Sequence, residues 1–97
     1  MRLRFTPRAA QDLAEIADYI RVRNPGAALR VRADILQSLQ NLVLFPGAGR
    51  RQNMEGVRKL VTRRYSYLIY YKVDDAADEI IVLAVQHSAQ AREHSDA

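Results

Sequence analysis

The chain has 97 residues, 48% of them hydrophobic and 27% charged, with a formal net charge of +4; that length buries one core, roughly two thirds of the unfolded surface, and no second one. No run approaches the roughly 18 apolar residues of a membrane span, and the absence of cysteine excludes disulfides and thiolate metal sites. The positive charge is concentrated in the middle, where Arg50, Arg51, Arg58, Lys59, Arg63 and Arg64 stand against Glu55 alone, which suits phosphate, an acidic partner or a merely solvated surface.

Residues 2 to 5, RLRF, alternate polar and apolar, which predicts a short strand with Leu3 and Phe5 on one face. Thr6 before Pro7 is a helix start, a capping oxygen followed by a residue whose missing N–H costs nothing in the first turn. Leu13, Ile16, Ala17 and Ile20 then form one apolar stripe of a helix running to about Arg23. Arg8, Asp12, Glu15 and Asp18 fall off that stripe and read as solvated helix surface. Asn24-Pro25 repeats the start signal at once, so the chain must fold into a helical hairpin. The second stripe, including Val31, Ile35, Leu39 and Leu42, is ended by Phe45-Pro46-Gly47.

Residues 46 to 56, PGAGRRQNMEG, have no periodicity and predict an exposed loop. Strands are predicted over 57–63, 66–73 and 79–86, with KVDDAADE as the turn of an antiparallel hairpin. The last two are nearly continuous apolar runs, which predicts burial on both faces. The order β-α-α-β-β-β gives an α+β two-layer sandwich, a helical hairpin packed on a mainly antiparallel sheet. One domain over 1–97 is expected, with 88–97 a flexible tail. Helices can cover only one face of such a sheet, and the other is open to a partner. The opening MRLRFTPR leads into an amphipathic pattern and not an apolar signal core, so a cytoplasmic protein is expected.

The stretch RRYSYLIYY holds four of the five tyrosines. In a strand Tyr65, Tyr67 and Tyr71 share a side with Ile69 and Val73, and Tyr70 lies opposite with Leu68 and Lys72. A base-stacking platform shows two or three rings among polar neighbours; these rings alternate with aliphatics and read as core. Tyr65, beside Arg64, stays a candidate contact residue. Cutting RNA by 2′-hydroxyl attack needs proton-transfer groups and fixed cations. For this Arg58 and Arg64 could hold phosphate, and His87 is the imidazole inside the folded pattern, on the same alternating face as Ile81, Leu83 and Val85. The competing reading has His87 closing the strand by a bond to the backbone. His94 lies in the tail. The histidines and acids form no ligand cluster, and PGAGRR lacks the context of a phosphate-binding loop, so neither metal nor cofactor is expected.

Six segments, in order, carry a resemblance. They are FTPRAAQDLAEIADYI, NPGAALR, LVLFPGAGR, GVRKLV, YSYLIYYKV and VQHSAQ. Together they resemble the RelE/ParE superfamily of bacterial toxins from type II toxin–antitoxin pairs, and more closely its ParE branch. The resemblance implies a toxin in a hetero-oligomer with a cognate antitoxin, a ParD-like small acidic protein with a DNA-binding N-terminal part. For the ParE branch the implied target is DNA gyrase. For the RelE branch it is ribosome-bound messenger RNA, cut by an endoribonuclease, and a non-toxic antitoxin-binding module is a third alternative. Partner contacts are expected at Arg50, Arg51, Arg58, Lys59, Arg63, Arg64 and Tyr65, together with the exposed sides of the helical hairpin. ParE-like members carry the histidine corresponding to His87 without an assigned nuclease role, and fold alone does not choose between the branches.

Overall fold

The computed structural model describes residues 1–88, so the tail expected over 88–97 lies, apart from Ser88, outside the described residues, as does His94. The chain runs β1 (Arg2–Phe5), α1 (Pro7–Arg23), α2 (Pro25–Leu44), β2 (Arg50–Arg51), β3 (Val57–Val61), β4 (Tyr67–Asp74) and β5 (Glu79–His87). Thr6 caps α1 as its sequence requires, its Oγ1 accepting the Ala9 amide at 3.1 Å and donating to the Leu83 carbonyl of β5 at 3.0 Å. Asn24 serves both helices. Its own amide donates to Ile20 at 2.7 Å to close α1, and its Oδ1 accepts the Ala27 amide at 3.1 Å to open α2. A hairpin joined through one residue leaves the two helices antiparallel, side by side.

The five strands form one sheet in the order β1-β5-β4-β3-β2, with β1 parallel to β5 and every other pair antiparallel. Both helices lie on one face. The core there joins Ala9 of α1, and Val31, Ile35, Leu39 and Leu42 of α2, to Tyr67, Ile69, Tyr71, Ile80, Val82 and Val85. α1 is shallowly seated: Ala9 is its one fully buried residue, while Leu13, Ile16 and Ile20 are half-buried. The expectation that β4 and β5 are buried on both faces holds only in part, and no described helix lies on the second face. Leu68 and Ala84 are buried there, yet Tyr70, Ile81 and Leu83 are only half-buried and Lys72 is exposed.

The register of β4 and β5 slips between Tyr70, opposite Ala84, and Tyr71, opposite Val82, leaving Leu83 as the extra residue of a bulge. The helix-facing set of β5 therefore runs Ile80, Val82, then Val85. This corrects the placement of His87 with Ile81 and Leu83: the bulge breaks the alternation, and His87 stands opposite Tyr67 on the helix-facing side. Tyr65 is likewise not in a strand. β3 stops at Val61, two residues short of the predicted end, and the buried Thr62 closes the hairpin by donating its amide to Tyr67 at 2.9 Å and accepting the Tyr67 amide at its Oγ1 at 3.0 Å. Residues 63–65 form the turn.

The predicted loop over 46–56 contains β2, a two-residue edge strand that periodicity cannot reveal. It is pinned by Tyr71, whose buried hydroxyl accepts the Gly49 amide at 2.8 Å and donates to the Pro46 carbonyl at 2.8 Å. Among the described residues no helix is long and apolar enough to cross a membrane. A Cβ on Gly49 would stand 2.6 Å from the Tyr71 hydroxyl and 3.0 Å from the Lys59 carbonyl. Gly49→Ala is therefore expected to lower the unfolding free energy by about 1–3 kcal/mol in urea titration. Gly47→Ala, with nothing within 4 Å of its Cβ, should leave the midpoint nearly in place.

Candidate functional site

The β3–β4 turn is held from below by a residue the sequence reading passed over. Asp34 of α2 is 8% exposed, and its Oδ2 accepts the amides of Arg64 at 3.2 Å and Tyr65 at 3.1 Å. Its signal was present: Asp34 falls on the buried stripe of α2 with Val31, Ile35, Ser38 and Leu42, and a carboxylate on an apolar stripe must find donors. The turn so fixed leaves Arg63 and Arg64 exposed and Tyr65 packed against the core.

The other predicted cations do not join them. Arg50 and Lys59 stand opposite each other on the face of the sheet away from the two helices, in line with Tyr70. Arg51 faces the helix side opposite Arg58. Arg58 is committed to the preceding loop, its guanidinium donating to the Gly49 carbonyl at 2.8 Å. The basic segment is thus divided among an edge, a face and a turn.

His87 ends β5 with its ring edge-on to Tyr67, centroids 5.2 Å apart and planes at 82°. Arg58 lies opposite Tyr71 and His87 opposite Tyr67, which at about 3.3 Å per residue and 4.8 Å per strand separates their Cα atoms by roughly 16 Å. Arg64 is closer to the imidazole's end of the sheet, where the Ser66 carbonyl accepts the Ser88 amide at 3.2 Å.

His87 and Tyr67 also wall a cleft of about 720 Å³ under α1, whose other wall is Arg8, Asp12, Glu15 and Tyr19. Those four residues are spaced four, three and four apart, one polar stripe beside the apolar one. Asp12 was expected to be solvated; instead its carboxylate accepts the Val85 amide at 3.0 Å and lies 3.9 Å from the Arg8 guanidinium. The bulge explains this, because an amide displaced from the ladder needs an acceptor. Burial raises the Tyr67 phenol above its ordinary 10.0, and Tyr19 adds to the rise. On the far side of α1 an apolar groove of about 360 Å³ opens between the helices, floored by Leu13, Ile16, Ile35 and Leu39 and edged by Arg21 and Arg32. Leu29 and Leu36 along it are 69% and 42% exposed. Among the described residues no three His, Cys, Asp or Glu side chains converge as a metal site.

Residues 3–92 match the model of a family described as the ParE toxin of the type II toxin–antitoxin system parDE. The chain is 35% identical over 89 residues to Y4kP of Sinorhizobium fredii, a protein named as a candidate toxin, covering 92% of this chain and 90% of that one. Among solved structures it is similar to a chain of the chromosomal ParDE system of P. aeruginosa, with 33% identity, TM-score 0.76, and coverage of 90% and 95% of the two chains. The isolated E. coli RelE toxin shares the fold at 21% identity and TM-score 0.65, covering 96% of each chain.

Two outcomes test the geometry. Asp34→Ala strands two amides and should cost about 1–3 kcal/mol in urea unfolding, with loss of hydrogen-exchange protection at Arg64 and Tyr65. Tyr67 ionises first in the unfolded chain, so the stability held in its neutral phenol is complete below about pH 10 and is lost as pH rises from there through the folded value. Tyr67→Phe should flatten that alkaline decline in unfolding midpoints.

Proposed function

This chain belongs to the ParE toxin family of type II toxin–antitoxin systems, and on that premise we propose that it arrests replication by binding DNA gyrase in the cytoplasm. Neutralisation then falls to a ParD-like acidic antitoxin. The observation that carries the reading is the separation of Arg58 from His87, which leaves Arg64 alone toward the imidazole's end of the sheet. Arg58 is bound to loop carbonyls, and His87 packs on Tyr67 with its Cα roughly 16 Å from that of Arg58. Arginine, protonated at neutral pH, is no general base. In-line cleavage of a phosphodiester needs base, acid and cations around one phosphorus. Surface binding needs no such convergence.

The antitoxin's place is, in this reading, the groove between α1 and α2. Exposed Leu29 and Leu36 beside Arg21 and Arg32 suit an amphipathic helix with acidic flanks, its apolar face seated at helical spacing. Likeness to the P. aeruginosa ParDE chain supports an antitoxin partner of this kind.

Purified protein should stop gyrase supercoiling at amounts comparable to the enzyme and leave translated message intact, and His87→Ala should behave as wild type. Message cut at ribosomes, with the cutting lost in His87→Ala or Arg64→Ala, would establish the ribonuclease reading instead. Induced expression without growth arrest would reduce the chain to a non-toxic antitoxin binder. In the groove, Leu36→Asp should weaken antitoxin affinity at least about tenfold by calorimetry, since a charge replaces a buried apolar anchor.

A further inference from the structure

The cross-strand register lines up, in rows, the residues on the face of the sheet that no described helix covers. One row runs Arg4, Ile81, Lys72, Val57; the next runs Ala84, Tyr70, Lys59, Arg50. Each row thus ends or centres on cations about 4.8 Å from an apolar neighbour. Arg4 has a single long contact, 4.0 Å, to Glu79, and Arg50, Lys59 and Lys72 are in no ion pair among the described residues. Arg50 and Lys72 are exposed and Lys59 half-buried. Unneutralised like charges on neighbouring strands repel, a cost that a bound acidic surface would relieve.

The floor between these cations is aliphatic. Leu68 is 6% and Ala84 7% exposed, with Ile81 and Leu83 half-buried beside them and Val61 49% exposed at the rim. Tyr70 is the one aromatic ring in these rows, and it is half-buried. A single-stranded nucleic acid wants two or three open rings for its bases. Leu68 and Ala84 are closed already, so the apolar area left for contact belongs to Ile81, Leu83 and Val61, and apolar area among charges is the anatomy of a protein interface.

We propose that this face of the sheet, which no described helix covers, is where the toxin docks on its target, and that the complementary surface is an acidic protein patch. The inference rests on the gyrase reading and adds the surface. The antitoxin groove lies behind the sheet, between the helices, so one chain has two separable binding surfaces.

The test is Arg50→Glu with Lys72→Glu in the full chain. Both side chains are exposed and unpaired, so the thermal midpoint should hold; Lys59→Gln serves as a second, milder variant. Binding to purified gyrase should fall at least about tenfold and lose its salt dependence, while antitoxin affinity stays within about twofold. Gyrase binding equal to wild type in both folded variants overturns the docking face. Wild-type protein that binds antitoxin but not gyrase overturns the gyrase reading first, and the docking proposal with it. Tighter binding of a fluorescent single-stranded RNA than of gyrase, abolished by the same charge reversals, overturns a protein as the occupant.

Discussion

Each helix sends one carboxylate into the sheet, and the shape of the functional end depends on those two groups finding backbone amides. Asp12 takes the amide of Val85 and Asp34 those of Arg64 and Tyr65. A buried carboxylate without donors costs several kcal/mol, more than any single apolar contact nearby supplies. The two helices are therefore keyed to one register of the sheet. The bulge at Leu83 is what frees the Val85 amide to meet Asp12, and the same bulge turns His87 toward Tyr67.

The architecture was largely legible because its punctuation is local. Thr6-Pro7 and Asn24-Pro25 specify two helix starts within their own few atoms, and the structure places both caps as written. What escaped was non-local. β2 exists because Tyr71, 22 residues beyond Gly49, reaches back to hold the loop. The bulge leaves the Val85 amide to be met by Asp12 of α1, and no two-residue alternation encodes that. Asp34 lay between these cases: its position on an apolar stripe signalled a buried partner, while the partner's identity required the tertiary fold.

The site was legible as composition and not as arrangement. Six cations within fifteen residues suggested one patch, but strand pleating sends neighbours to opposite faces. Arg50 and Lys59 go to the face away from the helices, Arg58 and Arg51 to the helix side, and Arg63 and Arg64 to the turn. Arg58 is consumed as a clasp for Gly49. The family supplies the toxin identity; the division of charge decides which of these residues remain available to meet another molecule.

Asn24 closes one helix with its amide and opens the next with its side chain, leaving no slack residue between them. The two rods can neither splay nor slide without surrendering a cap. A guest seated in the channel between them would find two helices held together through Asn24, which lowers the ordering cost on the host's side. The larger share of the ordering entropy would then belong to the incoming chain.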